Sequence, residues 1–205
     1  MTELHARPLL ERDADPDPLR QFAAWFEAAR AAGLRAPEAT ALATATPDGT
    51  PSVRMVLLKG FDEDGFVFYT GYGSRKALEL EANPRAALLL HWDALGRQVR
   101  IEGGVTRASR EESEAYFRTR PRGSRIGAWA SRQSEPIAGR DELERRRDEV
   151  ERSHADEEVP VPPSWGGYRL AAGHYEFWQH REDRLHDRLA YTRSESGWSM
   201  VRLSP

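Results

Sequence analysis

Residues 39–70 read ATALATATPDGTPSVRMVLLKGFDEDGFVFYT, and this stretch decides the fold class. Ala39–Thr46, Ser52–Phe61 and Gly65–Thr70 are runs of strand-forming character. Pro47-Asp48-Gly49 and Asp62-Glu63-Asp64-Gly65 punctuate them as turns. Upstream, Asp17-Pro18 followed by Leu19, Phe22, Trp25, Phe26 and Ala29 predicts a capped amphipathic helix ending near Gly33. The polar, proline-bearing residues before it read as a loose arm. Downstream, Ser74–Ala82 is a short helix stopped by Asn83-Pro84, and Ala86–Trp92 and Arg97–Arg107 are strands. Ser109-Arg110-Glu111-Glu112 is a capping-box pattern opening a helix with Tyr116 and Phe117, and Pro121 begins another through Trp129. Arg140–His154 is charged enough to be a solvated helix, and Val159–Pro163 is a proline linker. Four short strands follow, Tyr168–Ala172, Tyr175–Gln179, Arg188–Thr192 and Trp198–Leu203. Many short strands, interspersed helices and no βαβ rhythm predict an α+β protein built on a β-barrel.

At 205 residues the chain fits one domain, divided here into an arm (1–16), a barrel (17–158) and a C-terminal segment (159–205) that completes the same fold. It holds no cysteine, which removes disulfides, thiolate nucleophiles, Cys-ligated zinc and iron–sulfur clusters. A net charge of −3 argues against nucleic acid bound by phosphate neutralisation. The histidines at 5, 91, 154, 174, 180 and 186 are scattered without ligand spacing, so no metal site is expected. No run approaches the ~20 apolar residues of a membrane span, and a cytoplasmic location is expected.

Of 30 basic residues only Lys59 and Lys76 are lysines. Where arginine has replaced nearly every other lysine, a retained ammonium can mark a site that a guanidinium fork does not suit. Both lie in patches that read as anion-directed. Gly71-Tyr72-Gly73-Ser74-Arg75-Lys76 runs from a strand into a helix, bringing free N–H groups, a hydroxyl and two cations to a helix N-terminus. It is neither a dinucleotide fingerprint nor a P-loop, and an ordinary capped turn gives the same pattern. Along Arg54–Lys59, alternation puts Arg54, Val56 and Leu58 on one face and Met55, Leu57 and Lys59 on the other. Cations in an apolar strand need an anion, either a nearby carboxylate such as Asp62 or Glu63 or bound phosphate. Tyr116 and Arg120 share a helix face with Ser124 beyond Pro121, which suits either a phosphate monoester or plain packing with a surface arginine. Arg184-Leu185-His186-Asp187-Arg188, if extended, aligns Arg184, His186 and Arg188. Several anion-gripping patches and no nucleophile elbow or Cys–His pair suit a protein whose organic cofactor does the chemistry.

The segments RMVLLK (54–59), YT (69–70), GSRK (73–76), RQ (97–98), YFRTRPRGS (116–124), IGAWASRQS (126–134), WGGY (165–168), EFWQ (176–179), RLHDR (184–188) and the closing RLSP (202–205) resemble, in order and spacing, the pyridoxine/pyridoxamine 5′-phosphate oxidase family. The resemblance implies an FMN-binding split β-barrel, mostly antiparallel and Greek-key, with flanking helices, acting as a homodimer with flavin at the subunit interface. It implies that FMN is held by Arg54, Met55, Val56, Leu57, Leu58, Lys59, Tyr69, Thr70, Arg75, Lys76, Gln98, Gln133, Ser134, Trp178 and Arg188. It places the substrate phosphate against Lys59, Tyr116, Arg120 and Ser124, and the pyridine ring against Arg184, Leu185 and His186, with Arg184 and His186 as the catalytic pair. The implied reaction is oxidation of pyridoxine or pyridoxamine 5′-phosphate to pyridoxal 5′-phosphate, with O2 reduced to H2O2. A phenazine-biosynthesis-type flavin oxidase and a non-catalytic flavin or pyridoxal-phosphate binding protein are the alternatives. The arm segment Leu4-His5-Ala6-Arg7-Pro8 lacks the Arg-x-x-Tyr pair that often closes over substrate in this family.

Overall fold

The computed structural model describes residues 7–155 and 157–205. Of the arm segment considered for lid closure, Leu4, His5 and Ala6 lie outside them. Nine strands form one antiparallel sheet among the described residues: β1 (Ala39–Ala45), β2 (Pro51–Leu57), β3 (Gly60–Asp62), β4 (Gly65–Gly71), β5 (Arg85–Trp92), β6 (Arg97–Arg107), β7 (Trp165–Gln179), β8 (Asp187–Ser194) and β9 (Gly197–Arg202). The helices are α1 (Pro18–Ala31), α2 (Arg75–Ala82), α3 (Arg110–Thr119), α4 (Arg122–Ala130) and α5 (Arg140–Ser153). No helix among the described residues is long and apolar enough to cross a membrane.

The strand order is β2-β1-β5-β6-β7-β4-β3, with the β8–β9 hairpin attached to β7. β2 and β3 stand at opposite ends of that path, yet only Leu58 and Lys59 separate them in the chain. The sheet must therefore curl until its ends meet. At the seam the Leu58 N–H donates to the Glu38 carbonyl at 2.9 Å and the Lys59 N–H donates to that of Val67 at 2.8 Å. The expected single strand Ser52–Phe61 is thus two strands. The backbone stays extended while its partner changes from β1 to β4, a switch that alternation cannot reveal.

The expected strands Tyr168–Ala172 and Tyr175–Gln179 are likewise one, β7, which pairs with β6 from Tyr168 onward, with β4 along its first half and with β8 along its second. A register shift at Glu102/Gly103 kinks this ladder. The strands approach so closely there that a Cβ on Gly103 would lie 1.9 Å from the Ala171 carbonyl oxygen.

α1 is capped by Asp17, whose side chain accepts from the Leu19 N–H, and it packs its apolar stripe against the curled sheet. Phe22 and Ala29 are completely buried. Phe22 meets Phe61 and Phe66 edge-on at 4.9 and 5.0 Å, and Trp25 meets Phe177 at 5.3 Å. Burying each such ring stabilises the fold by about 1.5–3 kcal/mol. α5 buries no residue, as its charge predicts.

The described part of the arm is pinned rather than loose. Arg202 donates to both Glu11 carboxylate oxygens at 2.7 and 2.9 Å and to the Leu9 carbonyl at 2.7 Å, and the Tyr191 hydroxyl donates to the Asp15 carbonyl at 2.8 Å. Polar composition suggested mobility because partners about 190 residues away are invisible in a local window.

Candidate functional site

A cavity of about 810 Å³ opens between β2, β4, the start of α2, the α3–α4 corner and the loop after α4. Arg54, Met55, Val56, Leu57, Lys59, Tyr69, Thr70, Arg75, Lys76, Tyr116, Arg120, Ser124, Gln133 and Ser134 all line it. Leu58, just past the end of β2, is the exception, although residues of both faces of the strand line the cavity. Val53, Met55 and Leu57 are exposed, whereas the Leu58 side chain is buried in the core.

The cations are held in different ways. Arg54 donates to the Thr44 and Ser52 hydroxyls and pairs with Glu79 at 3.2 Å, while Arg75 pairs with the same carboxylate at 2.8 Å. The partner of Arg54 is therefore neither Asp62 nor Glu63; Asp62 binds Arg169 instead. Sequence reading missed Glu79. Its only local signal is the i,i+4 spacing from Arg75 on a helix. Lys76 is buried, with Nζ 3.1 Å from the Thr70 hydroxyl and 3.2 Å from that of Ser74. Burial, with Arg54 adding repulsion, brings its pKa down to about 8 against the pull of Glu79.

The start of α2 differs from the expected set of free N–H groups. The Gly71 N–H donates to Gln133 Oε1 and the Arg75 N–H to Ser134 Oγ, each at 3.2 Å. Ser134 adopts a left-handed φ of 74° in making its contact. Two of the N–H groups at this terminus are therefore already committed to side chains of the loop after α4.

At the other end of the cavity, Tyr116 stacks on Tyr69 with centroids 4.0 Å apart, and Tyr69 lies parallel to Trp165 at 5.4 Å. The Arg120 guanidinium sits 4.7 Å over Trp165, and its Nη1 is buried with no hydrogen-bond partner among the described residues. Trp165 also lines the cavity; it stood inside a recognised motif but carried no assigned role.

Gln98, Trp178, Arg184, Leu185, His186 and Arg188 are not among the residues lining this cavity. Gln98, Trp178 and Arg188 are in register across β6, β7 and β8, and the His186 ring lies 4.5 Å from that of Trp178. The segment 184–188 is not extended as expected. Asp183 and Arg184 take left-handed φ values of 55° and 60° in a 3-10 turn, so Arg184 and Arg188 belong to different elements. Arg188 pairs with buried Glu176 at 2.8 Å and donates to the Ser204 carbonyl at 2.9 Å. His186 Nδ1 accepts the Arg181 N–H at 3.1 Å, which puts the neutral ring's proton on Nε2. Burial, with His180 and Arg184 nearby, lowers the His186 pKa below the ordinary histidine value. Arg184 is exposed and has no ion pair among the described residues.

These features define a split β-barrel protein with a cation-lined cavity at its rim. Residues 26–154 match the model of the pyridoxamine 5′-phosphate oxidase family, and residues 165–205 match that of the pyridoxine 5′-phosphate oxidase C-terminal dimerisation region. The chain belongs to the pyridoxamine 5′-phosphate oxidase family. It is 64% identical to a pyridoxine/pyridoxamine 5′-phosphate oxidase of Rubrobacter xylanophilus, over 96% of this chain and 91% of that one. A relative of the same name from Cupriavidus taiwanensis is 58% identical over 96% and 93%. Among solved structures, PhzG from Burkholderia lata, in complex with tetrahydrophenazine-1-carboxylic acid, superposes with a TM-score of 0.90 at 33% identity, over 96% of this chain and 98% of that one. A pyridoxamine 5′-phosphate oxidase-related FMN-binding protein from Nostoc punctiforme shares the fold, with a TM-score of 0.73 at 20% identity over 92% and 98%.

Proposed function

We propose that this protein is an FMN-dependent oxidase that converts pyridoxine 5′-phosphate or pyridoxamine 5′-phosphate to pyridoxal 5′-phosphate, with O2 reduced to H2O2. The observation that carries this reading is Arg120, whose buried Nη1 has no partner among the described residues in a cavity shared with Tyr116, Ser124 and Lys59. A buried unpaired donor is costly, and a phosphate monoester supplies the missing acceptors.

The cavity also suits the cofactor. Its volume of about 810 Å³ is of cofactor size, and Lys76 is bonded there to two hydroxyls. FMN would be held by Arg54, Met55, Val56, Leu57, Lys59, Tyr69, Thr70, Arg75, Lys76, Gln133 and Ser134, with Leu58 contributing backbone only. When bound, it supplies the two-electron acceptor that oxygen reoxidises. Arg184, Leu185 and His186 would orient the pyridine ring, and Gln98, Trp178 and Arg188 would complete the cofactor site. Because these six do not line the cavity, the reading needs a second copy of the chain to bring them to it, in a homodimer with FMN at the interface. The C-terminal dimerisation match and the exposed apolar residues Val53 and Met55 beside the cavity support that arrangement.

Oxygen uptake with pyridoxine 5′-phosphate, pyridoxamine 5′-phosphate and a phosphate-free control tests the reaction. The likeness to PhzG keeps a phenazine-type oxidation as the second reading, and turnover of a phosphate-free carboxylate alone would establish it instead.

Two further results are expected. Lys76 is neutral in the free protein above about pH 8, whereas a phosphate dianion favours its charged form. FMN affinity should therefore fall above that pH, approaching about tenfold per unit, while riboflavin affinity stays flat. Fluorescence titration of apoprotein checks this, and parallel FMN and riboflavin curves would contradict it. Arg184→Ala should lower kcat at least about tenfold, ~1.4 kcal/mol in the barrier, with FMN binding intact. A kcat within twofold of wild type would remove Arg184 from the chemistry.

A further inference from the structure

We infer that Trp165 is a positioning residue of the substrate site, whose indole face holds the Arg120 guanidinium in the place a carboxylate would otherwise take. The inference rests on the phosphate-binding role proposed above for Arg120 and adds the reason that arginine remains available for it.

Other arginines show the contrast. Arg54 and Arg75 share Glu79, Arg188 and Arg100 share Glu176, and Arg169 bridges Asp62 and Glu112. Each of those guanidiniums has part of its charge and some of its donors committed to protein. Arg120 has no ion pair among the described residues; its guanidinium carbon lies 4.7 Å from the Trp165 centroid and 5.3 Å from that of Phe117. A π face attracts the flat side of a guanidinium and leaves its in-plane N–H groups free. Holding the cation this way preserves its charge and its bidentate donor geometry for a ligand. Arg100, Arg125 and Arg146 also leave one guanidinium nitrogen buried without a hydrogen bond but are ion-paired through another, whereas Arg120 combines its orphaned Nη1 with no ion pair and no side-chain hydrogen bond among the described residues.

Trp165 is itself held on several sides. It is 7% exposed at the first position of β7, where it pairs in register with Gly71. Phe117 meets its ring edge-on at 5.0 Å, and Tyr69 lies within 8° of parallel at 5.4 Å. Tyr69 can come this close to β7 because Gly167 has no side chain; a Cβ there would lie 2.9 Å from Tyr69 Cε1. Tyr116 stacks on the same tyrosine at 4.0 Å, and its own centroid lies 6.3 Å from that of Trp165 with the two rings within 10° of parallel. Tyr116 and Arg120, both assigned to the substrate phosphate, thus rest on one aromatic assembly anchored by Trp165.

The test compares wild type, Trp165→Phe and Trp165→Leu as flavin-loaded protein. The dissociation constant for pyridoxal 5′-phosphate is measured by equilibrium titration, alongside KM and kcat for pyridoxine 5′-phosphate and the dissociation constant for FMN. Trp165→Leu is expected to weaken pyridoxal 5′-phosphate binding and raise KM about tenfold or more, with kcat and FMN affinity within about threefold. Trp165→Phe, which keeps a π face, should recover most of the loss. Equal effects of the two substitutions, or a fall in kcat at constant KM, would overturn the inference. Should the leucine variant fail to fold, tryptophans of increasing fluorination at position 165 weaken the π face without changing its shape. Binding should then weaken stepwise with each fluorine, and an unchanged constant across the series would refute the role. Wild-type protein that binds pyridoxal 5′-phosphate without oxidising its precursors would sink the proposed reaction while the binding series still judges Trp165. Wild-type protein that binds no phosphate monoester would overturn both.

Discussion

Replacing Glu79 with alanine is expected to destabilise the apoprotein by about 3 kcal/mol, the low end for stripping a counter-ion from buried charge, because Arg54 is 20% exposed and Arg75, at 60%, is screened by water. Glu79 is 4% exposed, and it accepts hydrogen bonds from Arg54, Arg75 and the Thr44 and Ser52 hydroxyls. Burial alone would raise its pKa, yet those four donors hold it down to about 2. Without it, Arg54, Arg75 and Lys76 face one another across one end of the cavity with no carboxylate between them. Denaturation of the flavin-free variant should show the loss directly. FMN should restore part of it, because a phosphate dianion returns negative charge to the same cations and binds only the folded state. The acid limb provides a second readout. A carboxyl whose folded pKa lies below its ordinary value stabilises the protein above the ordinary value, and that stabilisation disappears as pH falls toward the folded pKa. Wild type should thus lose stability between about pH 4.5 and pH 2 more steeply than Glu79→Gln does. A Glu79→Ala apoprotein as stable as wild type would mean that solvent already screens the three cations.

Arg120→Ala should raise KM for the phosphorylated substrate about ten- to a hundredfold, equivalent to ~1.5–3 kcal/mol for a charged hydrogen-bonding partner. Its effect on kcat should be much smaller, since a grip on a non-reacting phosphate acts alike in the ground and transition states. The site geometry points the same way, because Arg120 has no carboxylate to fall back on among the described residues and its burial already lowers its pKa. Steady-state kinetics with both vitamin B6 phosphates decide the matter. An unchanged KM would place the phosphate elsewhere, and a parallel loss of kcat would give Arg120 a part in the chemistry.

Much of this architecture was legible before any coordinates. The Asp17 cap and the stripe Phe22, Trp25, Phe26, Ala29 define α1, since capping and a 3.6-residue period depend on near neighbours only. Ser109 accepts from the Glu112 N–H as the capping-box pattern requires, although Glu112 itself turns to Arg169 rather than back to the cap. The residues of β2, β4, α2, α3 and α4 that the resemblance singled out line one cavity, with Leu58 outside it. The second cluster was legible as a set of residues and not as a shape. A five-residue window shows alternation, but it cannot show the left-handed turn at Asp183 and Arg184 that ends it.

The amino-acid sequence by itself determined which stretches are helical and which extended, and the chemistry that their side chains present. Those properties follow from covalent spacing and from the partition of apolar and polar side chains within a few residues. The tertiary structure alone decided the pairings. The curl of the sheet sends the extended chain through Leu58 and Lys59 from one partner strand to another and makes β7 a single strand serving both barrel and hairpin. That same curl sets Glu79 against Arg54 across 25 residues, gives Arg188 to Glu176 instead of leaving it free, and lays Arg120 on Trp165. Charge and ring partners of this kind are chosen by distance in space after the backbone has closed, and no local periodicity records them.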